Sequence, residues 1–228
     1  MTRAVFFDVD FTLIYPGPTF QATGYRDFCA RHGVVVDPAA FDAAVVSASS
    51  LLGGDDGNGG VFDPELFIRY TRRIIEAMGG AGPAVDAAAR DIYDEWSACQ
   101  HFFLYDEVPE VLRVLRQSGI RIGLISNTER CLTSFQEHFS LEGLFHATLS
   151  SSDHGYMKPH PSIFEAALRQ LEVTPDQAMM VGDSLLQDIH GARRMGMRAV
   201  LVSRSGRTEG CPPDVPVIRT LRELPPLL

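Results

Sequence analysis

Five short apolar runs punctuate the chain: AVFFD (4–8), IRIGLIS (120–126), HATLS (146–150), AMMVGD (178–183) and RAVLVS (198–203). Runs this short and this uniformly apolar predict strands buried on both faces of a parallel sheet. Most are separated by helical periodicity. Residues 107–118 put Val108, Val111, Leu112 and Leu115 on one face, with Pro109 in the first turn and Gly119 as a stop. Residues 161–171 begin at Pro161 and repeat Phe164, Ala167, Leu168 and Leu171. Residues 185–195 repeat Leu185, Ile189 and Ala192 and stop at Gly196. Strand and helix in alternation predict an α/β fold, a doubly wound, Rossmann-like parallel sheet.

Residues 15–102 break the alternation, because their periodicity is helical only. Phe20, Gly24 and Phe28 share a face, and Gly33 ends that helix. Asp37-Pro38 and Asp63-Pro64 each read as an N-cap followed by proline at the first helical position, and Ile92 and Trp96 pair in a last helix. The domain reading is therefore a core of residues 1–14 and 103–228, interrupted by an all-helical insert of residues 15–102. Phe20, Tyr25, Phe67 and Tyr70 are read as the insert's own core rather than as a pocket lining. LLGGDDGNGG (51–60) reads as a flexible connector, the alternative being a mobile loop that touches substrate.

Composition narrows the class. Hydrophobic residues are 45% of the chain, enough for a real core, which excludes a disordered chain. Twenty basic against 29 acidic residues give a net charge of −9, and no basic block is present, so no nucleic-acid partner is expected. An acidic protein that takes a phosphorylated ligand needs local positive charge, such as a metal ion. Cys29, Cys99, Cys131 and Cys211 lie far apart, with no zinc or redox spacing. The N-terminal apolar run is short and interrupted by Asp8 and Asp10, unlike a signal peptide, and no apolar run approaches the ~20 residues of a membrane span. The expectation is a soluble cytoplasmic protein without a membrane partner, acting as monomer or homodimer.

Ligands of a doubly wound sheet bind beyond the carboxyl ends of its strands. Each of the first four runs ends there in polar residues. The first supplies Asp8, Asp10 and Thr12; the second Ser126, Asn127 and Thr128. HGYMKPHP, with Lys158, follows the third, and Asp183, then Asp188, follow the fourth. Singly, each has a bland reading as a turn, a cap or a solvated lysine. Together they form one crevice. Carboxylates without soft ligands suit Mg²⁺. One aspartate can attack phosphorus, and a second can protonate the leaving oxygen and then activate water. Ser126 and Lys158 can hold phosphoryl oxygens as charge develops.

DVDFTL, LISNT, SSDHGYMKPHPSIF and VGDSLLQD, in this order, resemble the four motifs of the haloacid dehalogenase superfamily, most of whose members are phosphatases. The resemblance covers residues 3–14 and 104–206. It implies that Asp8 is nucleophile and metal ligand, and that Asp10 is general acid/base with its backbone carbonyl on the metal. It implies that Thr12 helps to place Asp10, and that Ser126 and the backbone of Asn127 bind the phosphoryl group. Lys158 would bridge Asp8 and that group, Asp183 would ligate Mg²⁺, and Asp188 would support the metal site. The insert would be a cap that closes over the site and shapes specificity. Phe11 departs from the glycine or asparagine common at its position, which bears on substrate preference.

The expected function is a Mg²⁺-dependent phosphatase acting on a small phosphorylated metabolite through an aspartyl-phosphate. A phosphotransferase of the sugar-phosphate mutase type carries nearly the same motifs, and a non-catalytic phosphate-binding module is the other alternative. Carbon-centred dehalogenation is disfavoured by Asp10 and Thr12. A signalling receiver domain is disfavoured by the insert and by an acceptor aspartate on the first strand.

Overall fold

All five predicted strands lie in one parallel sheet. The computed structural model describes residues 1–53 and 59–228, so half of the glycine-rich 51–60 loop, residues 54–58, lies outside the described residues. The strands in chain order are β1 (Ala4–Phe7), β2 (Ile14–Pro16), β3 (Phe102–Leu104), β4 (Arg121–Ser126), β5 (Ala147–Ser150), β6 (Ala178–Gly182), β7 (Arg198–Val202) and β8 (Val217–Ile218). Six of them form a sheet of order β5-β4-β1-β6-β7-β8, and β2 pairs with β3. β1 and β6, the two central strands, are buried at every residue, which explains their unbroken apolar sequences.

The register decides where the polar ends fall. Phe7 pairs with Leu124 on one side and Val181 on the other. Asp8 therefore stands at the level of Ile125 and Gly182, with Ser126 and Asp183 one residue further along. Ser126 pairs with Ser150 at the neighbouring strand end.

The chain forms two compact units. One comprises Met1–Tyr15, Gly60–Phe62 and Leu104–Leu228; the other comprises Pro16–Gly59 and Asp63–Phe103. In the first, helices Val108–Gln117 and Pro161–Gln170 bury the predicted faces. The second of these packs Ile163, Phe164, Ala167 and Leu168 into a cluster with Phe6, Leu149, Met180 and Leu201. Two features differ from the sequence reading. Residues 185–195 are not one α-helix but a π-helical stretch, Leu185–His190, followed by a short α-helix, Gly191–Arg194. Leu132–His138 is a helix that the strand-helix pattern did not predict.

The second unit is helical, with Ala22–Arg31, Phe41–Ala48, Pro64–Ala77 and Val85–Trp96 as its main elements. Asp37 and Asp63 are caps, accepting from the amides of Ala39 and Glu65 at 2.9 and 3.0 Å. Phe20 and Tyr25 are buried, and the Phe20 ring lies 4.6 Å from Trp96 and 5.4 Å from Phe102. Gly24 is needed at its place, since a side chain there would meet the Thr19 carbonyl oxygen at 2.0 Å. Among the described residues, no helix is long and apolar enough to cross a membrane.

Candidate active site

The carboxyl edge of the sheet gathers buried charge. Asp8 follows β1, and its amide donates to the Val181 carbonyl at 2.9 Å. Lys158 is 2% exposed, and its Nζ donates to Asp8 Oδ1 at 2.6 Å and to Asp188 Oδ1 at 2.7 Å. Carboxylate oxygens of Asp8, Asp183 and Asp188 lie within 4.8 Å of one another. These residues come from three separate chain segments, and the parallel register is what brings them together.

Local structure explains how each is held. Asn127 clamps Lys158 in both directions: its Nδ2 donates to the Lys158 carbonyl at 2.9 Å, and its Oδ1 accepts from the Lys158 amide at 2.7 Å. Asp188 lies inside the π-helical stretch, and its Oδ2 accepts from the Ser184 amide at 3.0 Å. π-Helical turns often mark functional sites, because the wider turn re-aims a side chain. Here Asp188 presses so close to the β6 end that a side chain at Gly182 would meet its Oδ2 at 2.2 Å. Gly182 is thus required by the carboxylate beside it.

The electrostatics follow from this crowding. Burial pushes the Asp8 carboxyl up to about 7; Lys158 opposes the rise, and Asp188 and Asp10 add to it. Asp183 is raised well above the usual carboxylate range by desolvation and by the charges of Asp8 and Asp188. Because Asp183 keeps an exposed edge, the two negative neighbours are the firmer cause. Burial alone would lower the Lys158 ammonium, but Asp188 and Asp8 outweigh it and hold the lysine charged. Three carboxylates with one shared ammonium leave excess negative charge, and an all-oxygen donor set fits a hard divalent cation such as Mg²⁺.

Asp10 is partly buried and accepts at Oδ1 from Arg130 Nη1 at 2.7 Å. Thr12 is fully buried, and its carbonyl accepts from Arg204 Nη2 at 2.9 Å, while its hydroxyl has no hydrogen-bond partner among the described residues. Ser126 is buried at the β4 end. Phe11 has a backbone φ of +62°, the left-handed region where glycine and asparagine are at ease. The turn between Asp10 and Thr12 therefore explains why small residues suit that position.

Sequence reading missed Arg130 and Arg204. The Arg204 guanidinium lies 3.6 Å over the Tyr105 ring and pairs with the buried Glu107, besides holding Thr12. Arg204 follows β7 by two residues, at the end of the one run whose polar tail was not read as part of the crevice. The signal available for Arg130 was its place four residues beyond Ser126, in the loop that Ser126, Asn127 and Thr128 already mark.

The model of the haloacid dehalogenase-like hydrolase family matches residues 2–196. The chain belongs to that family. It is 35% identical to human haloacid dehalogenase-like hydrolase domain-containing protein 3 over 183 residues, covering 78% of this chain and 73% of the human one. It spans only about half the length of the Xenopus laevis and Bos taurus proteins of that name, 48% of each. It is 32% identical to the glyceraldehyde 3-phosphate phosphatase of Methanopyrus kandleri over 213 residues, 90% of this chain and 85% of that one. In fold, this family member resembles YfnB of Bacillus subtilis, solved bound to magnesium, with a TM-score of 0.74 at 18% identity over 100% of this chain and 98% of that one.

Proposed function

We propose that the chain is a Mg²⁺-dependent phosphatase that hydrolyses a small phosphomonoester through an aspartyl-phosphate on Asp8. The observation that carries the reading is Lys158, buried and bonded at once to Asp8 and Asp188. A fully buried ammonium is costly unless it is paired and has work to do. Here it faces Asp8, the carboxylate directly after the first strand, at the edge where such sheets bind ligands. The phosphatase relatives in the family support the same reaction class.

Each residue then has a task. An Asp8 carboxylate oxygen forms a bond to phosphorus as the bond from phosphorus to the ester oxygen breaks, and Asp10 gives that oxygen its proton. Asp10 next takes a proton from water, whose oxygen attacks phosphorus and frees both phosphate and the Asp8 carboxylate. Ser126, the backbone of Asn127 and Lys158 hold the phosphoryl oxygens while negative charge builds on them. Asp8, Asp183 and the Asp10 carbonyl are the metal ligands, with Asp188 supporting them and Thr12 helping to place Asp10. Bound Mg²⁺ supplies positive charge against the carboxylates and the phosphoryl group. Residues 15–102 serve as the cap that selects the substrate, with 1–14 and 103–228 as the catalytic core. The scattered cysteines support a cytoplasmic setting.

The test is phosphate release from a panel of phosphomonoesters, with Mg²⁺ and with chelator. Metal-dependent release from at least one ester is expected. Release that continues undiminished in chelator would remove the metal from the mechanism, and no release from any ester would remove hydrolysis.

A further inference from the structure

Arg130 is the largest fully buried side chain among the described residues. It comes from the loop between β4 and helix Leu132–His138, where charged residues ordinarily point to water. Its side chain has no exposure, and its Nη1 donates to Asp10 Oδ1 at 2.7 Å. The loop is braced to hold it. The Arg130 amide donates to Thr128 Oγ1 at 2.9 Å, and the Thr128 amide donates to Ser151 Oγ at 3.0 Å. A guanidinium is planar, always charged and rigid in its hydrogen-bond directions, so it fixes the plane of the carboxylate it binds. Taking it out of water is costly, and its ion pair with the second aspartate of the first motif offsets part of that cost.

We propose that Arg130 is a positioning residue that holds the Asp10 carboxyl in the orientation from which its proton reaches the leaving oxygen. This rests on the phosphatase reading above. The guanidinium stays on Oδ1, which accepts a hydrogen bond whether or not the carboxyl is protonated. As the bond from phosphorus to the ester oxygen breaks, the electron pair left on that oxygen takes the Asp10 proton, and Asp8 keeps the phosphoryl group. A basic alkoxide needs that proton in order to leave. A nitrophenolate leaves without it. Poor aim of Asp10 therefore penalises alkyl esters more than aryl esters, whereas a loosened core would slow both alike.

The experiment compares kcat/KM for glycerol 2-phosphate and p-nitrophenyl phosphate with Mg²⁺ present. This constant ends at formation of phospho-Asp8 and leaves out the later attack by water. The alkyl-to-aryl ratio should fall by about 10- to 100-fold in Arg130→Met, part of the 10²–10⁴ that a positioned acid contributes. Arg130→Lys keeps a cation in the same cavity, should fall between wild type and Arg130→Met, and is the variant to read if Arg130→Met does not fold. Asp10→Asn should show the same signature, and adding Arg130→Met to it should change the ratio no further. An unchanged ratio in a folded Arg130 variant would overturn the proposal, as would a further fall in the double variant. The phosphatase reading is checked separately: an active Asp8→Asn, or a wild type that releases phosphate from no ester of the panel, would remove that reading and this inference together, before any Arg130 variant is considered.

Discussion

The two units treat charge in opposite ways. At the carboxyl edge of the sheet, the Lys158 and Arg130 side chains are only 1% and 0% exposed and are paired with aspartates. In the helical unit two arginine pairs lie in water: Arg90 with Glu65 at 2.6 Å, 55% and 52% exposed, and Arg72 with Glu76, 48% and 37% exposed. Exposed pairs add little because solvent screens them. Buried pairs recover their desolvation cost only in part, so stability alone does not explain them. The contrast teaches that buried charge concentrates at the candidate site, while the helical unit leaves its arginine–carboxylate pairs in solvent.

The hardest test of that contrast is Asp8→Asn. The amide is nearly isosteric, so the fold should survive while turnover drops by at least about 10⁴-fold, as it does on loss of other covalent nucleophiles. Circular dichroism and phosphate release check the two halves together. Near-normal turnover would take the nucleophile's role from Asp8. Lys158→Ala comes next. Turnover should fall by about 10²–10³-fold, and the metal-free protein should lose about 3–5 kcal/mol, because Asp8 and Asp188 lose their shared ammonium. Mg²⁺ should still bind, and should raise the melting temperature of this variant more than that of wild type. A melting temperature unmoved by the substitution would show the buried pair to be dispensable to the fold.

The pH dependence sharpens the same point. The Asp8 carboxyl is pushed up to about 7 from an ordinary value of 3.8, so the folded protein holds a proton that the unfolded chain gives up. Stability of the metal-free protein from this group is fully present below about pH 4 and is lost as pH rises toward about 7. Asp183 is raised as well, and its contribution has the same sign. Thermal melts in chelator should therefore fall across that window by on the order of 5–10 °C, and Asp8→Asn should flatten the fall. A melting temperature that rises across the window in chelator would mean that Lys158 outweighs burial at Asp8.

Much of this was legible before any coordinates. Unbroken apolar runs gave strands bounded to within a residue or two, because a strand buried on both faces has no polar position to blur its limits. Polar residues just beyond those runs had to fall on one edge once the sheet was parallel. What escaped depends on side-chain contacts rather than on period. The π-helical stretch around Asp188 keeps the apolar spacing of an α-helix, and only the backbone bond from the Ile189 amide to the Ser184 carbonyl, five residues back, reveals the wider turn. Arg130 escaped because a lone arginine in a loop carries no period at all, and the Asp10 carboxylate it pairs with lies 120 residues earlier. β8, two residues long, is too short to show a pattern.

Phe11 probes the rim between buried site and solvent. Its φ of +62° costs a bulky L-residue roughly 1–2 kcal/mol relative to the right-handed regions. Phe11→Asn keeps a residue tolerant of that backbone without the extra chain freedom of glycine, so the melting temperature should rise by about 2 °C. A fall instead would mean that the contacts of the 44% exposed ring outweigh the strain of its backbone.

The smallest effect expected is in the helical unit, and it is the control on which the contrast depends. Arg90→Ala removes a 2.6 Å pair that joins helix Val85–Trp96 to helix Pro64–Ala77. By distance alone this bond equals the one between Lys158 and Asp8, also 2.6 Å. By environment it does not, since both partners are more than half exposed and water replaces the lost bond. The melting temperature should therefore move by less than about 2 °C, and less still at high salt, where screening has already weakened the pair. A loss as large as that from Lys158→Ala would mean that bond length, not burial, sets the worth of a charge pair in this chain, and the distinction between its two units would fall.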